Sequence, residues 1–137
     1  MAVSQEDVEL VRHTFDALLH GAHQEAACAF HADAVWHNTA EFPGPVRCSG
    51  LQVIVDFWTS YTELFAQPAA GKHEVERVSG GRNAVFIGMH SVGRWPQSGV
   101  PVDVRWAAAV QLRDHKISRV DVHGDFSKAL KAVGLEA

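Results

Sequence analysis

Hydrophobic residues in the first half of the chain recur every three or four positions, which is the period of an α-helix. The first such stretch follows Ser4, which begins a capping box with Asp7, and stops at Gly21. Its apolar positions are Val8, Val11, Phe15, Leu18 and Leu19. A second, short helix is predicted to end near Asp33, and a third to run from Gly50 to just before Pro68. The pattern therefore predicts three N-terminal helices.

Apolar residues in the second half alternate with polar ones, as in strands that have one buried face. The alternation, with an extended segment at residues 34–38, predicts strands at residues 73–79, 84–95, 100–113 and 116–124. Residues 39–50, which contain two prolines and two glycines, are predicted to form a loop. Asp125 is the predicted cap of a closing helix over residues 126–133. Helices followed by a meander predict an α+β fold, with helices on one face of an antiparallel sheet.

Length and charge narrow the class of protein. The 137 residues fit one domain over residues 1–137, and a net charge of -4 without a run of Lys or Arg argues against nucleic-acid binding. No apolar stretch is long enough to span a bilayer, and the acidic N-terminus does not resemble a signal peptide. We therefore expect Cys28 and Cys48 to be reduced thiols in a cytoplasmic protein.

Nine histidines raise the question of a metal site. The closest pair, His20 and His23, straddles Gly21 in a predicted turn, and no pair has the HxH or HxxxH spacing that metal sites use. No glycine-rich phosphate loop follows a predicted strand either. We therefore expect neither a metal nor a nucleotide cofactor.

Three stretches of the chain are similar to one known family. They are FHADAVWHN (residues 30–38), RCSGLQVIVDFW (47–58) and VRWAAAVQLRDHKISRVDVHGDFSKALKAVGL (104–135). In them the chain resembles the SnoaL-like polyketide cyclase family, within the nuclear-transport-factor-2-like superfamily. The resemblance implies a cone-shaped fold, in which three N-terminal helices lie on a strongly curved antiparallel sheet and enclose a pocket. It implies a small hydrophobic molecule as the partner, while the reaction must be argued from the site.

The resemblance and strand alternation together imply which side chains line that pocket. Trp36 and Asn38 would point inward and His37 outward. The implied lining also includes Tyr61, Phe65, Ile87, Met89, Ser91, Val104, Trp106, Ala108 and Val122. An apolar cavity with a few polar groups, here Asn38, Tyr61 and Ser91, is typical of a small-molecule site.

The residues that act in related enzymes can be compared with this chain. Limonene-type epoxide hydrolases have Tyr-x-Asn where this chain has Trp36-His37-Asn38, and their Arg and two Asp residues fall at Met89, Ser91 and Val122. The ketosteroid isomerase base falls at Asn38, whose amide cannot abstract a proton, and the oxyanion hole near Thr14 and Ala108. Neither residue set is present. The base of the SnoaL cyclases falls at Val122, which Asp121 and His123 flank.

Two interpretations of function stay open. In the first, a cofactor-independent enzyme performs cyclisation, isomerisation or dehydration on a hydrophobic carbonyl compound, with His123 or Asp121 as base and Tyr61 or Asn38 as donor. This role requires a β-bulge that turns Asp121 or His123 inward. In the second, a non-catalytic binding protein uses the same pocket. Strict alternation places Asp121 and His123 on the convex face, with Asp103 and Arg105, where we expect a homodimer interface. A pure dimerisation module would have no use for the pocket.

Overall fold

The computed structural model describes residues 3–38, 47–64, 71–94 and 98–135. Within these ranges, four helices and six strands follow one another along the chain. They are α1 (Gln5–Leu19), α2 (His23–Ala27), β1 (Phe30–Asn38), β2 (Arg47–Ser49), α3 (Leu51–Leu64), β3 (Gly71–Gly80), β4 (Val85–Arg94), β5 (Pro101–Arg113), β6 (Lys116–His123) and α4 (Phe126–Ala132). The helices lie on a curved sheet that does not close into a barrel, which confirms the predicted α+β fold class.

The strands form one sheet in the order β2-β1-β6-β5-β4-β3. Strands β3 to β6 are an antiparallel meander, as predicted, but β1 pairs in parallel with β6, with Trp36 opposite Val120. The expectation of a purely antiparallel sheet is therefore wrong at this one pairing. The long connection between β1 and β6 permits it, because parallel neighbours need a crossover that a tight hairpin cannot supply.

The helix boundaries follow local capping chemistry. The Ser4 hydroxyl accepts a hydrogen bond from the Asp7 backbone N–H at 3.2 Å, and Gly21 follows α1 with a φ of 86°. Asp125 caps α4 in the same way, by accepting from the Ser127 N–H at 2.8 Å. Both caps agree with the sequence-based prediction. None of the described helices combines the length and the apolar character needed to cross a membrane.

Two predictions about the segment between α1 and α3 are wrong. Helix α2 ends at Ala27 instead of near Asp33, because the chain enters β1 at Phe30. Part of the predicted loop is the short strand β2, where Cys48 lies opposite Trp36. Three residues are too few to show alternation, so the pairing with β1 defines this strand rather than its own sequence.

The sheet has two differently covered faces, and the inner face is the one that α1 and α3 cover. Its described side chains include Trp36, Asn38, Cys48, His73, Val75, Val78, Val85, Ile87, Met89, Ser91, Val104, Trp106, Ala108, Val110, Val120 and Val122. Helix α4 covers part of the outer face and packs on Phe86, Ala107 and Ala109. Gly88 lies under α4, where a Cβ would come within 2.8 Å of the Phe126 ring. The small residue therefore lets α4 approach the sheet.

Candidate functional site

Aromatic rings from four elements form a continuous layer against the inner face. Trp58 on α3 lies between two tryptophans of the sheet, with ring centroids 5.3 Å from Trp36 and 6.2 Å from Trp106. Phe15 on α1 stacks on Trp36 at 5.6 Å. All four rings are buried, so this part of the interior is apolar and aromatic. Aromatic layers of this kind contribute burial energy and also provide flat surfaces for a ligand.

The first polar group in this layer is Asn38, at the end of β1. Its side-chain oxygen accepts a hydrogen bond from the Trp36 indole N–H at 2.9 Å, and both residues are fully buried. Alternation places the two side chains on the same face, two positions apart. Asn38 therefore holds the orientation of Trp36 in addition to any contact that it makes with a ligand.

The second polar group is a chain of three side chains on β3, β4 and β5. The Trp106 indole N–H donates to the Ser91 hydroxyl at 3.0 Å, and the same hydroxyl oxygen lies 2.8 Å from Nδ1 of His73. Trp106 and Ser91 are buried, while His73 is half-buried. The hairpin register brings them together, because Ser91 lies opposite His73 on one side. On the other side Trp106 lies opposite Met89, two residues from Ser91.

His73 was not among the residues that sequence reasoning singled out. Burial lowers the pKa of its imidazole below the ordinary value of 6.5, and the charge of His20 on α1 lowers it further. A neutral imidazole with a fixed hydrogen-bond partner is a common proton acceptor in enzymes. The sequence feature that could have identified His73 is its position two residues from the apolar Val75 on an alternating strand, which places both side chains on the same face.

The titration of His73 gives the first prediction. Its pKa is lower in the folded than in the unfolded protein, so as the pH falls the unfolded chain takes up the proton first. Stability should therefore be greatest above about pH 6.5 and should decline as the pH falls towards the folded-state pKa. Urea denaturation across this range should show a smaller decline in His73→Gln than in the wild type. The control is His90→Gln on the outer face; equal declines in all three proteins would contradict the assignment.

The remaining predicted lining residues occupy different depths. Met89 and Val122 are fully buried on the inner face. Val104 lies opposite Ser91 on the same face but is 42% exposed, so the inner face meets solvent beside the Ser91 and His73 side chains. Phe65 and the side chain of Tyr61 lie outside the described residues, so their predicted roles stay predictions.

Asp121 and His123 lie on the outer face. The β5–β6 pairing runs without a shift through this stretch, with Ala107 opposite His123, Ala108 opposite Val122 and Ala109 opposite Asp121. The bulge that would turn either residue inward is therefore absent there. The Asp121 carboxylate accepts two hydrogen bonds from Arg119, at 2.9 and 3.0 Å, and lies 3.5 Å from His37. A ligand on the inner face would be separated from both residues by the sheet.

Metal-ligating side chains are dispersed in the part of the chain that the structure describes. Within those ranges, no three His, Cys, Asp or Glu side chains are grouped as a metal site requires. Cys48 is buried on the inner face, where burial raises the pKa of its thiol, and Cys28 is exposed. The absence of a metal or nucleotide cofactor stays a prediction.

The fold and the site together define a class of protein: a curved-sheet α+β protein of the nuclear-transport-factor-2-like type, with an aromatic inner face and a few polar groups. A sequence profile described as the SnoaL-like domain matches residues 11–120. The chain belongs to the SnoaL-like family. No curated protein matches the chain.

Solved structures share this fold at low sequence identity. One is described as a SnoaL-like polyketide cyclase from Jannaschia sp. CCS1, with 17% identity and a TM-score of 0.74 over 98% of this chain and 96% of that one. An NTF2-like protein from Burkholderia xenovorans LB400 has 16% identity and a TM-score of 0.72 over 96% and 97%. TerC, co-crystallised with polyporic acid, has 11% identity and a TM-score of 0.71 over 94% and 98%. At these identities the likeness shows the fold alone.

Proposed function

We propose that the inner face binds a small hydrophobic carbonyl compound and catalyses a proton transfer on it, in a cyclisation, isomerisation or dehydration. The observation that carries the proposal is the hydrogen-bonded chain of Trp106, Ser91 and His73, which ends in a half-buried imidazole beside the exposed Val104. An imidazole whose pKa is lowered by burial stays neutral near pH 7 and can accept a proton. The co-crystallisation of TerC with polyporic acid supports small-molecule binding by this fold.

A second candidate function is non-catalytic binding of a hydrophobic ligand on the same face. The outward position of Asp121 and His123 favours it, because both candidate bases predicted from the sequence are then remote from the ligand. If one of these two residues is nevertheless the base, the substrate must lie on the outer face. Variants of Asp121 and His73 therefore separate the two locations for chemistry.

Solvent-deuterium exchange separates an enzyme from a binding protein. Hydrophobic ketones would be incubated with the protein in deuterium oxide, and the carbon next to each carbonyl would be followed by NMR. We expect incorporation above the uncatalysed rate with the wild type and with Asp121→Asn, and loss of the excess rate with His73→Gln. Binding of a ketone without exchange would favour the non-catalytic function, and loss of exchange only in Asp121→Asn would place the base on the outer face.

We also propose that the protein forms a homodimer through the outer face. The exposed Val92 lies there beside a row of charged side chains. These charges already have partners within the chain, since Asp103 lies 2.6 Å from His90, and Arg105 donates to Glu76 at 2.9 Å. A second subunit would thus bind a surface whose charged side chains already have hydrogen-bond partners, instead of supplying missing ion partners.

Sedimentation velocity at micromolar concentration tests this prediction. We expect a dimer for the wild type and a shift towards monomer for Asp103→Lys, which breaks the pairing of Asp103 with His90 and adds a positive charge to the same surface of both subunits. Arg12→Glu, an exposed substitution on α1, is the control and should leave the dimer intact. A wild-type protein that sediments as a monomer would contradict the prediction.

A further inference from the structure

The inner face carries few ionisable side chains. Among its described residues, His73 and Cys48 are the ionisable ones, and neither a carboxylate nor a Lys or Arg side chain belongs to the set. Burial raises the pKa of the Cys48 thiol, which therefore stays neutral at ordinary pH. Protonation of His73 would give this face a positive charge. Such a charge would favour an anionic ligand, because apolar surroundings strengthen the attraction.

The hydrogen-bond geometry of Ser91 defines what a proton on His73 would do. An indole N–H can only donate, so the Ser91 oxygen must accept from Trp106. In the tautomer of neutral His73 that carries the ring proton on Nε2, the Ser91 hydroxyl donates to Nδ1. When Nδ1 carries a proton, it donates to Ser91 instead. Both lone pairs of the Ser91 oxygen are then occupied, and its own proton must point to a third group.

From this geometry we infer that the site takes hydrophobic acids, namely enols, phenols or carboxylic acids, and that Ser91 relays the acidic proton to His73. The inference rests on the proposed small-molecule site and names its ligand class. Ser91 contacts the ligand, His73 is the terminal proton acceptor, and Trp106 is a positioning residue. The exposed Val104, which lies opposite Ser91, marks where the ligand reaches the hydroxyl.

The proton relay breaks two O–H bonds, forms two new bonds to hydrogen and involves no redox change. The ligand O–H bond breaks and its proton forms a new O–H bond on Ser91, while the original Ser91 proton moves to Nδ1 of His73. The electron pair of the broken bond stays on the ligand oxygen. The products are a ligand anion, which accepts a hydrogen bond from Ser91, and an imidazolium that donates to the same hydroxyl oxygen. A carbonyl compound in its enol form undergoes the same step, which yields the enolate that cyclisation or isomerisation requires.

The ionisable groups around His73 set the pH at which its imidazolium forms beside a ligand anion. On the described inner face, β4 and β5 present Ser91, Met89, Val104 and Trp106, none of which is ionisable. Helix α1 contributes His20, which lies 3.3 Å from Asp16. On β3 itself, Lys72 and Glu74 point to the other face.

A matched pair of probes tests the inference. 4-Nitro-1-naphthol changes its visible absorbance on ionisation, and its methyl ether has nearly the same shape but cannot ionise. At a pH where the free naphthol is mostly un-ionised, we expect wild-type protein to bind it as the naphtholate. The bound probe should ionise at a pH about one unit or more below that of the free probe, which corresponds to an affinity about tenfold higher for the naphtholate than for the neutral naphthol. His73→Gln should lose this shift.

Three further variants make the result specific. Ser91→Ala should lose the ionisation of the bound naphthol, Ser91→Thr should retain it because the hydroxyl is kept, and His90→Gln should retain it as the outer-face control. All variants should bind the ether with similar affinity. If the ether and the naphthol both bind but the naphthol stays un-ionised, the relay is wrong and the small-molecule site stands. If neither probe binds the folded wild type, the site itself is contradicted.

Nitrogen-15 NMR of the imidazole provides a test without any ligand. At a pH above its pKa, His73 should be in the tautomer that carries the proton on Nε2, because Nδ1 accepts from Ser91. Ser91→Ala should shift the balance towards the other tautomer, and Ser91→Thr should restore it. A wild-type His73 that carries its proton on Nδ1 when neutral would overturn the proposed direction of the relay.

Discussion

Replacement of Trp106 by Ala should lower the free energy of unfolding by about 3–5 kcal/mol, the range for truncation of a fully packed aromatic side chain. The Trp106 ring is 1% exposed, stacks on Trp58 at 6.2 Å and pairs with Met89 across the β4–β5 hairpin. The truncation would remove the contacts with both neighbours and leave a cavity that close-packed surroundings fill only in part. Urea denaturation that yields both the midpoint and the m-value measures the loss.

Two controls separate the contribution of the ring from that of its N–H group. Trp106→Phe keeps most of the buried aromatic surface but removes the hydrogen bond to Ser91, so we expect a smaller cost, about 1 kcal/mol for the bond plus any loss of packing. Added indole should restore part of the stability of Trp106→Ala by filling the cavity, as small apolar ligands do in engineered cavities. A cost below about 1 kcal/mol for the Ala variant would contradict the packed position of the ring.

The facing of the central strands could be predicted from the sequence because a buried face imposes strict alternation. Once Trp36 is placed inward, Asn38 shares its face, and the same argument holds for Met89 with Ser91 and for Trp106 with Ala108. The β4–β5 and β5–β6 registers keep this order in the stretches that carry these residues. The absence of a bulge at Asp121 and His123 was not predictable, because a bulge depends on backbone pairing and leaves no fixed signature in one sequence.

The position of His73 shows where this reasoning fails. Strand β3 has a register shift between Val75 and Arg77, so that Val75 and Val78, three residues apart, both point inward. Strict alternation counted from Val78 would place Glu74 and Glu76 inward and His73 outward. Counted from Val75, it places His73 inward. The extra residue at Glu76 decides between these two facings of His73. The position of this bulge is determined by the pairing of β3 with β4 and not by the local sequence.

Some hydrogen bonds of the site could be predicted from the sequence, and others could not. The bond between Trp36 and Asn38 joins residues two positions apart on one strand, so alternation alone brings them together. The chain from Trp106 through Ser91 to His73 crosses three strands and requires two hairpin registers to be known. Hydrogen-bond geometry that spans several strands is therefore harder to predict from sequence than the apolar wall behind it.

Replacement of Asn38 by Ala should cost about 1–3 kcal/mol of stability, because it leaves the buried Trp36 indole N–H without the acceptor that it has at 2.9 Å. The sequence favoured a ligand-binding role for Asn38, and the structure adds this structural one. Trp36→Phe removes the donor, so Asn38→Ala should cost less in that background than in the wild type. Urea denaturation of the four proteins gives the coupling energy, which we expect to be about 1 kcal/mol or more. This double-mutant cycle cancels the packing energy that is lost with the indole ring. Strictly additive costs of the two substitutions would show that the hydrogen bond does not contribute to stability.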